Sequence, residues 1–274
     1  MSKPFRTLDD VVDGLSAREQ QFRAAGDRRA IFLTLYGIVS SAMRAQVAAS
    51  AFADNDWVHG YAVAFANFYR QALDDYDGGR LDRVPKAWRL AFDTARTGAG
   101  IVLQDMLLGI NAHVNNDLPQ ALAAVSIDPD RDARYRDHCA VNAVLGAVTE
   151  QATRRLAALY APGFTSLDEC AGRLDELLSA FSLQVARESA WEAAVSLTNA
   201  RTPFERTLVT RMISARAGVL AKLLLSSTID PIAAAACRRL ESGPQWLTLL
   251  ADLHQSVFKY SSSAFLSSGD SVVP

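Results

Sequence analysis

The chemically capable side chains of this sequence are concentrated in one segment, GINAHVNNDLP at residues 109–119. His113 and Asp117 are four residues apart, so on a helix they share one face. On such a face a carboxylate can orient an imidazole as a general base. The same pair can bind a divalent metal, with Zn, Mg and Mn as the candidates. We therefore predict that His113 and Asp117 are catalytic, and that His113 is buried beside Asp117 and lines a cavity.

Three asparagines accompany this pair, and the whole segment directly follows the apolar run IVLQDMLLGI at 101–110. Asn111 and Asn115 share a neighbouring helix face, and Asn116 lies beside the His–Asp face. A buried polar group without a partner costs about 1–3 kcal/mol, so these amides need partners or a ligand. We predict that they bind substrate. The alternative is a purely structural turn, with Asp117 as the N-cap of a helix that has Pro in its first turn.

A second polar group lies on later predicted helices. Asp137 and Asn142 belong to a long helix that begins near residue 130, and Arg187 and Trp191 are four residues apart on the next helix. We predict that Asn142, Arg187 and Trp191 contact substrate and that Asp137 is a third metal ligand. The alternatives are a solvated helix face for the first pair and cation–π packing for the second.

Helical periodicity runs along almost the whole chain, and no alternating pattern indicates a strand. Gly and Pro are scarce, at 15 and 9 of 274 residues, which is typical of long uninterrupted helices. We predict one all-α domain over residues 1–260, a bundle of about ten helices, and a disordered tail over 261–274. A buried central helix should end in NAHVNNDLP, and the last two helices should begin near Asp230-Pro231 and Gly243-Pro244.

The charge balance excludes several classes of partner. A net charge of −2 offers no basic surface for nucleic acid. No G-x-G-x-x-G follows a strand, so we expect no nucleotide cofactor. The most apolar window, residues 98–110, is too short to span a membrane, and the N-terminus lacks the apolar core of a signal peptide. Three cysteines without C-x-x-C spacing fit reduced thiols. We expect a cytoplasmic protein, and the sequence is compatible with an oligomer.

The chain resembles a family of helical proteins of unknown function. The resemblance covers about residues 25–200 and rests on NAH-x-N-x-DLP. Supporting features are FADNDWV at 52–58, FANFYRQAL at 65–73, the Pro85…Trp88…Phe92 spacing, Asp137 with Asn142, and Arg187 with Trp191. The resemblance implies that the motif and the Asp137/Asn142 pair belong together.

Two weaker similarities suggest reaction types. LLGINAHVNNDLP is similar to the His-x-x-x-Asp helix, followed by Pro, of zinc-dependent phospholipase C-like enzymes, although those sites are richer in histidine. Class I terpene cyclases are also all-α, and their metal motifs resemble two sets of residues here. The sets are Asn142, Gly146 and Glu150 at four-residue steps, and Asp74, Asp75 and Asp77.

Three functions follow from these patterns. The first is an enzyme with a polar His/Asp/Asn site in an apolar helical pocket, which hydrolyses an ester or phosphoester with the help of a bound metal. Its substrate would be small and hydrophobic or amphipathic. The second is a cyclase or isomerase that acts on an isoprenoid or polyketide-like substrate. The third is a non-catalytic module that binds a small molecule or serves only a structural purpose.

Overall fold

The computed structural model describes residues 2–162 and 182–226, together with Arg238 and Glu241. Within these residues the chain is all-α and has no strand, which confirms the predicted fold class. The helices are α1 (Leu8–Ala24), α2 (Ala30–Ala48), α3 (Asn55–Asp77), α4 (Lys86–Thr97), α5 (Val102–Asn111), α6 (Leu118–Ala124), α7 (Arg131–Tyr160), α8 (Leu183–Asn199) and α9 (Pro203–Ser226).

A π-helical segment, Ala112–Asp117, joins α5 to α6 without a break, so the described residues form eight separate helical rods. The sequence predicted about ten helices. The two expected to begin near Asp230 and Gly243 lie outside the described residues, as does the predicted tail over 261–274.

Local sequence signals set the ends of several helices. Thr7 accepts a hydrogen bond from the backbone N–H of Asp10, whose carboxylate accepts in return from the N–H of Thr7, and together they form a capping box at α1. Asp54 caps α3 by accepting from the N–H of Trp57 at 2.9 Å. Gly98 ends α4 with a φ of 63°, in the left-handed region that glycine adopts without strain.

The run from α5 through the π-helical segment packs against most of the other helices. The π-helical segment contacts α3, α4, α8 and α9, and α5 also contacts α2. All six residues of the segment are buried. Side chains from α1 to α5, α7 and α9 form one apolar cluster, and side chains from α2, α3, α6, α7 and α8 form a second. The polar motif therefore lies inside the packed core, where each polar group needs a partner.

Among the described helices, α2 alone is long and apolar enough to span a membrane. The sequence analysis identified a different segment, residues 98–110, as the most apolar window of the chain. In the structure α2 packs against α1, α5 and α7, and its residues from Ala30 to Thr34 are all buried. Its contacts are those of a core helix in a helical bundle.

Candidate functional site

The motif at 109–119 folds with a π-helical turn at its centre. The backbone N–H of Leu118 donates to the carbonyl of His113, five residues earlier, instead of the residue four earlier as in an α-helix. A π turn inserts one extra residue into a helix and often occurs at functional sites. Here it places six consecutive buried residues, four of them polar, at the junction of α5 and α6.

Asp117 accepts hydrogen bonds from three neutral donors. Trp88 Nε1 donates to Oδ2 at 2.7 Å, His113 Nδ1 lies 3.2 Å from the same oxygen, and Asn116 Nδ2 donates to Oδ1 at 2.8 Å. Asp117 is 1% exposed, and no Lys or Arg of the described residues pairs with it. Hydrogen bonds to a carboxylate are stronger than neutral ones, so these donors stabilise the buried charge.

The Asp117 carboxylate determines which nitrogen of His113 carries the proton. Since a carboxylate only accepts, Nδ1 is the protonated nitrogen and Nε2 keeps its lone pair. Nε2 is buried and has no hydrogen-bond partner among the described residues. Burial lowers the pKa of His113 despite the opposing effect of Asp117, so the imidazole is neutral at pH 7. A neutral imidazole held through Nδ1 has the properties of a general base.

Aromatic rings enclose the His113 imidazole. The Phe65 ring stacks on it with centroids 3.4 Å apart and planes 3° apart. Tyr36 meets it edge-on at 4.4 Å, and Phe32 does so at 5.6 Å. Because these rings come from α2 and α3, packing of the two helices against the π-helical segment fixes the orientation of the imidazole.

His113 forms part of the wall of a cavity of about 210 Å³. Among the described residues, Val114 and side chains of α1, α2, α3, α5, α7 and α8 also line it, and most of them are apolar. The side chains that bring a polar group to the wall, besides His113, are Tyr36, Ser40, Tyr61, Thr149, Thr153 and Arg187. An apolar cavity with a few polar groups is typical of a small-molecule site. The prediction that His113 is buried beside Asp117 and lines a cavity is confirmed.

The three asparagines of the motif bond to protein groups. Asn111 Nδ2 donates to the carbonyl of Ala217 on α9 at 2.9 Å, and Asn115 Nδ2 donates to Asn111 Oδ1 at 3.1 Å. The hydroxyl of Ser214, also on α9, donates to Asn116 Oδ1 at 2.8 Å. None of the three lines the cavity described above. Their bonds hold the π-helical segment to α9, and their predicted contact with substrate stays a prediction.

Arg187 organises the second polar group. Its Nε donates to Asn142 Oδ1 at 2.8 Å, and its Nη2 donates to the carbonyl of His138 at 2.7 Å. Trp191, one turn along α8, packs on the His138 ring with centroids 5.3 Å apart. Arg187 lines the same cavity as His113, whereas Asn142 and Trp191 do not. Asn142 therefore does not line the cavity itself, and its side chain bonds the guanidinium of Arg187, which does.

Asp137 belongs to α7, and its side chain contacts the backbone at the start of α3. Its two oxygens accept from the backbone N–H groups of Ala53 and Asp54 at 2.9 and 2.8 Å. Residues 2–162 and 182–226 contain no group of three or more His, Cys, Asp or Glu side chains that could hold a metal ion. The predicted ligand set of His113, Asp117 and Asp137 is therefore not brought together, because Asp137 binds the backbone that begins α3.

The acidic residues behind the terpene cyclase similarity form ion pairs with arginines. The pairs are Asp74 with Arg70, Asp75 with Arg80, Asp77 with Arg29, and Glu150 with Arg154. Each carboxylate has its own arginine, so these residues do not form a shared acidic site.

A separate pair of buried carboxylates lies beside Arg28. Asp105 Oδ2 accepts from Arg28 Nε at 2.7 Å, and Glu241 Oε1 accepts from the N–H of Val102 at 2.7 Å. Burial raises the pKa of Asp105 to about 6 and that of Glu241 to about 7, despite the nearby guanidinium. These two groups do not line the cavity, and they give the fold a pH-dependent stability.

Three contributors to the site have no signal within the motif itself. Trp88 and Phe65 lie in segments that carry the family resemblance, and the spacing of their aromatic residues is the sequence feature that indicates them. Ser214 lies 98 residues from its partner Asn116, and nothing local in the sequence marks it.

Comparison with known proteins identifies the family of the chain. Neither the curated proteins nor the solved structures contain a match. A family model described as "Family of unknown function (DUF5995)" matches residues 8–227, well over half of the sequence. The match extends beyond residues 25–200, where the sequence resemblance was traced, and includes the motif, the cavity-lining helices and Arg187. The chain therefore belongs to the DUF5995 family.

Proposed function

We propose that the protein hydrolyses a small ester in the cavity, with His113 as the general base and Asp117 as the residue that orients it. One observation carries this proposal: His113 lines an apolar cavity with Nδ1 bonded to a buried carboxylate and with the Nε2 lone pair unpartnered. Burying a nitrogen without a hydrogen-bond partner costs desolvation free energy, so its presence in the cavity wall calls for an explanation. Proton transfer to and from substrate would be that explanation.

In the proposed reaction, Nε2 removes a proton from a water molecule while the water oxygen attacks the ester carbonyl carbon. The carbonyl π bond opens to an oxyanion, the bond to the alcohol oxygen then breaks, and the imidazolium returns its proton to that oxygen. The products are a carboxylic acid and an alcohol. Asp117 stabilises the transient imidazolium because its carboxylate faces Nδ1.

Phe65 controls access to the base in this scheme. Its ring covers one face of the imidazole, and Phe65 itself is half-buried and lines the cavity. A change of its side-chain rotamer would open a path from the cavity to Nε2. No step is routed through a metal, because both oxygens of Asp117 already accept from N–H groups.

The size of the cavity distinguishes ester hydrolysis from cyclisation. Pockets that enclose a drug-sized ligand measure about 300–1,000 Å³. The cavity measures about 210 Å³, which suits a smaller molecule than a folded isoprenoid chain.

A non-catalytic binding module is the second candidate, and one observation favours it. The Phe65 ring is stacked on the imidazole of His113, and the Nε2 atom is buried. If Phe65 never moves, the cavity binds a ligand and the imidazole only completes the wall.

Hydrolysis of ethyl acetate, ethyl butyrate and phenyl acetate, which are small enough for the cavity, separates the two candidates. We expect the wild type to exceed the rate in buffer for at least one ester, and His113→Asn to lower that rate about 10²–10⁴-fold. His59→Asn, at a half-buried histidine outside the cavity wall, should leave the rate unchanged. Circular dichroism of each variant controls for folding. Hydrolysis no faster than in buffer, or wild-type rates in His113→Asn, would contradict the proposed function.

A further inference from the structure

Arg187 carries a positive charge that no carboxylate of the described residues neutralises. It is 4% exposed and lines the cavity, and no Asp or Glu of the described residues lies within 4.0 Å of its guanidinium nitrogens. Its bonds to Asn142 and to the His138 carbonyl use Nε and Nη2. A buried charge is costly unless it is paired, so an anion in the cavity would remove that cost.

The groups around the guanidinium are neutral donors or acceptors. Tyr61 is buried, lines the cavity and lies close enough to Arg187 for the guanidinium to act on its phenol. Burial raises the pKa of Tyr61, so its hydroxyl keeps its proton at neutral pH. Burial and the charge of Arg187 lower the pKa of His138 to about 3, so His138 adds no second positive charge. Among the described side chains that line the cavity, Arg187 is the single cation and has a phenol hydroxyl beside it, which matches a monoanion.

Helix α3 places this cation near the base. Tyr61 contacts Arg187, and Phe65, four residues later on the same helix, stacks on His113. Side chains four residues apart on a helix have Cβ atoms about 5–6 Å from each other. Arg187 and His113 line one cavity, and each lies beside a residue of the same face of α3.

We propose that Arg187 and Tyr61 bind the carboxylate of a small amphipathic monocarboxylate, whose apolar body fills the rest of the cavity. This inference deepens the proposed function, on which it rests, because it names the chemical class that the cavity takes. A cavity of about 150 Å³ holds benzene, so about 210 Å³ accommodates about eight to ten non-hydrogen atoms.

Titration calorimetry with octanoate and 1-octanol tests the proposal below their aggregation limits. The two compounds share an eight-carbon chain and differ in charge. We expect the wild type to bind octanoate at least about 10-fold more tightly than octanol. Arg187→Gln should weaken octanoate binding about 10- to 100-fold and change octanol binding little, since a hydrogen bond to a charged group is worth about 1.5–3 kcal/mol. Arg187→Lys should retain part of the preference.

Two further variants keep the test interpretable. Arg136→Gln, at an exposed arginine on α7, is the matched control and should bind both compounds as the wild type does. If Arg187→Gln fails to fold, Tyr61→Phe removes one proposed donor and should weaken octanoate binding about 5- to 10-fold.

The outcomes separate this inference from the proposed function. Equal affinities for octanoate and octanol, with no effect of Arg187→Gln or Tyr61→Phe, would overturn the carboxylate site while leaving His113-dependent ester hydrolysis intact. If the wild type binds neither compound, the cavity is not the ligand site, and this inference and the proposed function both fail.

Discussion

Phe65 lies flat against His113, with ring centroids 3.4 Å apart and planes 3° apart. Through this stack α3 contacts the one imidazole in the cavity wall, and one turn earlier the same helix contacts Arg187 through Tyr61. Helix α3 therefore lies beside both the base and the buried cation. The proposed chemistry requires a movement that opens the buried Nε2 atom to the cavity.

Phe65→Leu should make His113 more reactive. Leucine keeps the cavity wall apolar but cannot stack, and an aromatic pair is worth about 0.5–1.5 kcal/mol. We expect diethyl pyrocarbonate to modify His113 about 3- to 10-fold faster in this variant, because states with Nε2 exposed become more populated. Mass spectrometry of tryptic peptides measures the rate, and His59 provides an internal reference. Equal rates for His113 in both proteins would show that Phe65 does not cover the base.

Asn111→Ala tests whether the asparagines of the motif hold the fold or the substrate. The change leaves the buried carbonyl of Ala217 and the amide of Asn115 without their partner, and each loss costs about 1–3 kcal/mol. We expect a lower melting temperature and wild-type kcat/KM for the folded fraction. Asn199→Ala, at an exposed asparagine on α8, should change neither quantity. Loss of turnover at unchanged stability would instead support the substrate contact predicted from the sequence.

Glu241 should make the fold less stable as the pH rises. Burial raises its pKa to about 7, against 4.5 for an unperturbed glutamate, so between these values the folded state holds a proton that the unfolded chain has released. The free energy of unfolding then falls with rising pH, by on the order of 3 kcal/mol across this window, and becomes constant above it.

Glu241→Gln removes this contribution. In urea unfolding at pH 5 and pH 8, the variant should show a smaller decrease in the free energy of unfolding than the wild type. The remaining decrease comes from Asp105, whose pKa is raised to about 6. Glu192→Gln, at an exposed carboxylate on α8, is the control and should behave as the wild type. Identical pH dependence in wild type and Glu241→Gln would show that this carboxyl ionises normally.

The local pattern was sufficient to predict the fold class and one central contact. Apolar residues at helical spacing, with few Gly and Pro residues, predicted an all-α chain, and the four-residue spacing predicted the contact between His113 and Asp117. Both follow from helix geometry, which depends only on neighbours in sequence.

Features set by distant residues could not be predicted in this way. The π-helical turn depends on where the motif's amides find partners, and Ala217 and Ser214 of α9 supply them. Asp137 looked like a metal ligand because its type fits that role, but its oxygens bind the backbone at the start of α3. The environment of Arg187 is equally a property of packing, because sequence spacing cannot show that no carboxylate of the described residues is near.

Whether Asp117 acts through His113 is tested most directly by a double-mutant cycle on kcat/KM for the best of the three small esters. If Asp117 acts by orienting His113, Asp117→Asn should lower kcat/KM about 10²–10⁴-fold in the wild type and have almost no further effect in His113→Asn. Melting temperatures of the four proteins show that each is folded. We expect this strong non-additivity. Independent, multiplicative losses, or full activity in His113→Asn, would contradict it and leave the cavity as a binding site without a base.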